Sequence, residues 1–139
     1  MKSFKDVNGK DWIISINVGS IKRVRDLLGI NLLDCIKSNL IDDLKSDPIT
    51  LVDVIFCLVK EQADKAGISD INFGEAMAGD ALEQATDAFL EELINFFPSQ
   101  KRGLLAKAME KVREAEKVAM ERAEKQLEEL DVNNLTSGN

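Results

Sequence analysis

Residues 49–59 are apolar almost all the way round a helix, and this segment constrains the fold more than any other. It follows Asp47-Pro48, a pair that is typical of a helix start, because Asp caps the free N–H groups and Pro fits the first turn. Gly67 is the natural stop. A helix without a polar face has to be covered on most sides. We therefore expect residues 48–66 to form the central helix of the core.

Residues 3–18 predict a β-hairpin. Asn8-Gly9 is typical of a two-residue type I′ turn, which needs positive φ at both positions. Beyond the turn, apolar residues alternate along the chain up to Val18, as they do on one face of a strand. Because a two-stranded hairpin is marginally stable in water, we expect it to pack against helices.

Capping residues, glycines and prolines divide the rest of the chain into helices. We expect one from Ser20 to about Leu28, one over residues 32–45, the central helix, and a stretch from Ser69 to Phe97 that can break at Gly79. The predicted fold class is mainly α, with an N-terminal β-hairpin, a bundle of about five helices and a long charged C-terminal helix. The expected core consists of Trp12, Ile14, Ile16, Val24, Leu28, Leu33, Ile36, Leu51, Ile55, Leu58, Phe89, Leu93 and Phe97.

Residues 99–130 are rich in Ala, Glu, Lys and Arg and predict one long helix. It would extend about 45 Å, whereas a compact chain of this size has a radius of gyration of about 14 Å. The sequence thus predicts a hairpin and helical core over residues 1–98, a long helix over 99–130 that overhangs the core, and a disordered polar tail over 131–139.

The apolar seam of this last helix is thin and mostly alanine. Its larger members Leu105, Val112 and Leu127 are the predicted partner-binding residues, in the manner of a helix that docks onto another protein or a sister subunit. Packing of the same three residues against the protein's own body is the alternative interpretation.

The composition removes much catalytic chemistry. The chain has no His and no Tyr, and Cys35 and Cys57 match no zinc-binding spacing. We expect both to be reduced packing residues. The sequence contains neither a phosphate-binding P-loop nor a nucleophile elbow. We therefore expect no enzymatic activity, no catalytic residues, no metal and no cofactor.

Charge is distributed unevenly. Residues 34–97 hold four Lys or Arg against fourteen Asp or Glu, and the whole chain has a net charge of −7. Such an acidic chain is not expected to bind nucleic acid. The one basic cluster is Lys22, Arg23 and Arg25. We interpret it as a solvated face or an internal partner of the acidic segment, with contact to a phosphate or a protein as the alternative.

No apolar run is long enough to cross a membrane. The first residues lack the apolar region of a signal peptide. We therefore expect a protein of the cytoplasm that binds no membrane.

Ten stretches of the sequence together follow a known pattern. They are Trp12-Ile13-Ile14-Ser15-Ile16-Asn17-Val18, Ile21-Lys22-Arg23-Val24-Arg25, Gly29-Ile30-Asn31-Leu32-Leu33-Asp34, Asp47-Pro48, Leu51-Val52-Asp53-Val54, Gln62-Ala63-Asp64, Gly67-Ile68-Ser69, Phe73-Gly74-Glu75-Ala76-Met77-Ala78-Gly79-Asp80, Ala85-Thr86-Asp87-Ala88 and Phe96-Phe97-Pro98. Over about residues 3–105 the chain thereby resembles a family of small proteins encoded in the tail-assembly cassettes of long-tailed bacteriophages and prophages, described as tail assembly chaperone-like. Residues 106–139 follow no pattern of that family.

The resemblance implies a mostly helical protein without enzymatic activity that works in the cytoplasm of the bacterial host. Its implied partners are phage tail proteins, above all the long helical tape-measure protein, and self-association is compatible with this role. A small acidic protein could cover the apolar stripes of such a partner before the tail tube assembles. The alternative is a structural virion component, a tail or connector subunit that forms a ring through the exposed edge of the hairpin.

Overall fold

The computed structural model describes the backbone of residues 1–137 and the side chains of residues 1–130. It confirms a mainly helical fold that begins with a two-stranded antiparallel hairpin and ends with a long helix. The elements are β1 Lys2–Lys5, β2 Asp11–Ile14, α1 Val18–Leu28, a 3-10 helix Leu32–Ile36, α2 Leu40–Ser46, α3 Pro48–Leu58, α4 Lys60–Ala66, α5 Asp70–Glu75, α6 Gly79–Phe96 and α7 Ser99–Ser137. The chain divides into two units, Met1–Arg102 and Gly103–Asn139.

Helix α3 is the centre of the first unit. It packs against α1, α2, α4, α5 and α6, and Val54 and Ile55 are fully buried. Asp47 caps its first turn, where the Thr50 N–H and hydroxyl donate to the carboxylate over 3.3 and 2.6 Å. These hydrogen bonds lower the pKa of Asp47. The predicted central helix is thus present, but it ends at Leu58, and the backbone at Val59 separates it from α4.

The hairpin turn differs from the predicted two-residue type I′ turn. The Gly9 N–H donates to the Asp6 carbonyl over 3.0 Å, and within the loop only Gly9 has positive φ. This geometry is typical of a three-residue loop with a bulge at the glycine. The cause is Asp6, whose carboxylate accepts hydrogen bonds from the N–H groups of Asn8 and Lys10 over 2.9 and 3.0 Å.

The buried face of the hairpin contains an aromatic cluster. In the strand register Phe4 lies opposite Trp12, and both rings pack edge-on against Phe73 of α5. The centroids of Trp12 and Phe73 are 5.0 Å apart. The Trp12 indole N–H donates to the Asp6 carboxylate over 2.9 Å, so the one polar atom of this buried ring is satisfied.

The end of β2 and the start of α1 were predicted wrongly. Helix α1 begins at Val18 because Asn17 is the capping residue. The Asn17 side chain accepts a hydrogen bond from the Ser20 N–H, and the Ser20 hydroxyl accepts one from the Asn17 N–H. Ser20 is therefore the third helical residue and not the cap. β2 ends at Ile14, so the predicted alternation up to Val18 is also wrong, and the side chain of Val18 is 72% exposed.

The helix predicted over residues 32–45 is two elements, a 3-10 helix and α2. The Ser38 hydroxyl donates to the Asp34 carbonyl over 2.8 Å and helps to close the first of them. Because a 3-10 helix has three residues per turn, it buries Leu32 and Cys35. The predicted core residue Leu33 is exposed instead. The predicted break before Gly79 is confirmed, since α5 and α6 are separate helices.

Most of the expected core is confirmed. Nine of the thirteen predicted residues are buried, and Leu33 is exposed. The other three are half-buried: Ile16 lies in the loop between β2 and α1, and Leu28 and Ile36 are the last residues of their helices. The buried residues of that set are Trp12, Ile14, Val24, Leu51, Ile55, Leu58, Phe89, Leu93 and Phe97.

Helix α7 continues to Ser137, beyond the expected end near residue 130 and into the segment predicted to be a disordered tail. No Gly or Pro interrupts the sequence between residues 104 and 137, so nothing there stops a helix. Residues 138 and 139 of the predicted tail lie outside the described residues. Within the described part of the chain, no helix combines the length and apolar character that a membrane span requires.

The replacement Asp6→Ala should lower the free energy of unfolding by about 2–4 kcal/mol, because three hydrogen bonds are lost and the buried Trp12 N–H has no acceptor. Urea denaturation followed by the fluorescence of the single tryptophan measures this. The control Asp11→Ala, which removes an exposed ion pair with Lys5, should cost less than about 1 kcal/mol. Equal effects of the two replacements would contradict the role of Asp6.

Candidate functional site

The candidate site is the exposed part of α7. From residue 110 to residue 130 every side chain is exposed except that of Val112, which is half-buried. Large apolar side chains are among the exposed ones: Val118, Met120, Leu127 and Leu130. A helix with a row of exposed apolar side chains is a surface on which another helix can pack.

The exposed face is a straight stripe of apolar residues. Successive members are three or four residues apart, and five steps lead from residue 112 to residue 130, an average of 3.6 residues per step. That spacing equals the period of an undistorted α-helix, and not the shorter heptad period that winds two helices into a left-handed supercoil. The stripe therefore runs along one side of α7: Val112, Ala115, Ala119, Ala123, Leu127 and Leu130.

The three predicted partner-binding residues differ in accessibility. Leu105 is only 2% exposed. Val112 is half-buried, and Leu127 is 62% exposed. The sequence could not separate them, because all three follow the same periodicity.

The basic cluster does not form a common site. Arg23 donates over 3.1 Å to the carbonyl of Cys57, near the end of α3, and over 3.1 Å to the carboxylate of Glu61. It thus supplies a donor to a carbonyl at the break between α3 and α4. Arg25 lies 3.6 Å from the carboxylate of Asp26, its neighbour in sequence, and the side chain of Lys22 is exposed.

Two shallow grooves adjoin α1. One has a volume of about 370 Å³ and is lined in part by Lys22, Arg23 and Lys60. The other, of about 460 Å³, is lined by acidic and apolar side chains from α3, α4 and α5, with Lys60 again at its wall. Lys60 is ion-paired to Asp64 over 3.2 Å. The cations at these grooves are therefore partly neutralised by acidic residues of the same fold.

Both cysteines are free and buried. Burial raises the pKa of the Cys35 thiol to about 11 and also raises the pKa of Cys57. A thiol becomes a good nucleophile only as a thiolate, so neither cysteine has the environment of a reactive one. In the part of the chain that the structure describes, no three Cys, Asp or Glu side chains form a group that could hold a metal ion.

The outer edge of β2 is closed by a side chain. Gln62 of α4 accepts a hydrogen bond from the Ile13 N–H over 3.0 Å and donates one to the Ile13 carbonyl over 2.6 Å. Its amide thus takes the place that the backbone of a neighbouring strand would take. This contact joins residues 49 positions apart, and no local pattern in the sequence signals it.

Comparison with protein-family models, with curated proteins and with solved structures gave no match to this chain.

The replacement Arg23→Met should lower the free energy of unfolding by about 1–2 kcal/mol, because the carbonyl of Cys57 loses its side-chain donor. Lys22→Met and Arg25→Met are the matched controls and should change it by less than about 0.5 kcal/mol. Chemical denaturation measures all three. Three equal effects would show that Arg23 has no special role at the α3–α4 junction.

Both thiols should react slowly with a thiol reagent at pH 8 in the native protein and rapidly after denaturation. With a pKa of about 11, Cys35 is deprotonated to only about one part in a thousand at that pH, against roughly a quarter for an ordinary thiol. The variant Cys57→Ala isolates the rate of Cys35. Labelling of the native variant as fast as that of the unfolded chain would contradict this environment.

Proposed function

We propose that this protein is a non-catalytic binding protein of the tail assembly chaperone type, which binds the helical tape-measure protein of a phage tail in the cytoplasm of the bacterial host. The single observation that carries the proposal is the exposed apolar stripe of α7. The resemblance of residues 3–105 to that family supplies the kind of partner.

The physical argument concerns solubility. A tape-measure protein is a long helical chain whose apolar stripes are unpaired before assembly, and such stripes aggregate. Helix α7 offers a complementary stripe about 27 Å long between Val112 and Leu130. The first unit is acidic overall, with 17 Asp or Glu against 12 Lys or Arg in residues 1–102. Its net charge would keep the complex in solution.

The alternative function, a tail or connector subunit that forms a ring, requires strand addition at the hairpin edge. At Ile13 the edge of β2 is already hydrogen-bonded to Gln62. A partner strand would first have to displace that amide, and this favours the chaperone proposal over the ring.

The proposal is tested by co-expressing the full chain with the long helix-rich protein encoded in the same gene cassette and capturing the complex through a tag. Ala119→Asp and Leu127→Asp should each weaken the complex about tenfold or more, because a carboxylate is placed in an apolar contact. Lys117→Gln makes the same change in net charge on the face opposite Ala119 and should leave binding unchanged.

Absence of the complex for the unaltered chain would overturn the proposal. Capture of tube or connector subunits in its place would favour the structural role. Equal binding by all the variants would leave a chaperone whose contact lies outside α7.

A further inference from the structure

Helix α7 combines three features that bear on self-association. Its stripe is uncovered from Ala115 to Leu130 within a single copy. Three alanines, Ala115, Ala119 and Ala123, follow one another at intervals of four residues in the middle of the stripe. Acidic and basic residues flank the stripe. The first feature provides the area for a contact, and the other two determine which arrangement of two helices fits.

The alanines are symmetric about Ala119. If a second α7 runs in the opposite direction with Ala119 facing Ala119, then Ala115 of each copy meets Ala123 of the other. Val112 then meets the aliphatic part of Gln126, which interrupts the stripe. Such a contact is isologous, since the same surface serves on both copies. Small side chains at its centre let the two backbones approach closely.

The flanking charges select the antiparallel direction. With about 100° of rotation per residue, Lys111 and Glu129 lie on the same side of the stripe. They are eight and ten residues from Ala119 in opposite directions, so in an antiparallel pair their heights along the axis differ by only about 3 Å. Lys111 of each copy then lies beside Glu129 of the other, and two ion pairs form across the contact.

A parallel pair leaves Glu129 without a basic partner. In that arrangement opposite sides of the stripe meet, and Lys111 would lie between Arg113 and Glu116 of the second copy. Within five residues of Glu129, no Lys or Arg lies on the side of the stripe that would face it. Among the residues that the structure describes, neither Lys111 nor Glu129 takes part in an ion pair within its own chain. The antiparallel helix dipoles add to the same preference.

We propose that the protein forms a homodimer through an antiparallel pair of α7 helices centred on Ala119 and fixed in register by Lys111 and Glu129. The dimer goes beyond the proposed function and does not rest on it. It uses the same stripe as a helical partner would, so self-pairing and partner binding exclude each other. The dimer is the form of the protein in which the stripe is covered while no partner is bound.

Sedimentation equilibrium of the purified full chain, over a wide range of concentration, tests the dimer without any partner. The unaltered protein should show a reversible monomer–dimer equilibrium. Lys111→Glu and Glu129→Lys should each raise the dissociation constant about tenfold, because each change replaces two attractive contacts with two repulsive ones. The double variant Lys111→Glu with Glu129→Lys should restore the original value.

The controls are Lys117→Glu and Glu128→Lys, which make the same changes in charge on the outer face of α7 and should leave the dissociation constant unchanged. A monomer at every concentration would overturn the proposal, and so would a double variant that associates no better than the single ones. Weaker association of Lys111→Glu together with an unchanged dissociation constant for Glu129→Lys would show a parallel pair and overturn it as well. Because no partner is present, none of these results bears on the chaperone proposal.

Discussion

The need to cover α3 organises the first unit. The helix has almost no polar face, so five other helices pack around it, and its two ends need polar partners of their own. Asp47 supplies the partner at the start, and Arg23 reaches across from α1 to a carbonyl near the end. Arg23 therefore links α1 to α3 and at the same time donates a hydrogen bond to a backbone carbonyl of α3. Burial of α3 removes water from its apolar side chains and also from the backbone groups at its ends. The fold therefore has to provide hydrogen-bond partners for those groups.

Helix α7 differs from α3 in being mostly polar and exposed. Over residues 110–130 every side chain is exposed except that of Val112, and charged residues dominate its surface. Its apolar stripe is thin enough to remain exposed in water, yet continuous enough to give another helix a line of contact. The first unit is organised by burial within one chain, whereas the apolar residues of α7 beyond Val112 become buried only in a contact with a second molecule. The proposed interactions are assigned to α7 because its apolar stripe is exposed.

The sequence revealed the features that depend on neighbouring residues. Asp47-Pro48, the break before Gly79 and the presence of a hairpin are local signals, and all three were predicted. The hairpin loop was assigned the wrong geometry because the carboxylate of Asp6 outweighs the preference of Asn8-Gly9 for a tighter turn. The 3-10 helix was missed since apolar spacing alone does not distinguish it from an α-helix over one or two turns.

The exposure of candidate site residues was harder to predict than their periodicity. Leu105 and Leu127 repeat the same pattern on one helix, but one is buried and the other exposed. The periodicity along the helix is the same at both positions, so the sequence does not distinguish them. The roles of Arg23 and Gln62 were not predicted either, because their hydrogen-bond partners are 34 and 49 residues away in the sequence.

The distance in sequence between Gln62 and Ile13 has a consequence for the protein during its synthesis. Both strands leave the ribosome before α4, so the edge of β2 has no side chain to close it until α4 has been added. At typical rates of translation, 49 residues take on the order of 2–10 s. The order of the elements along the gene therefore makes the closing of this edge a late event in the synthesis of the hairpin and its helices.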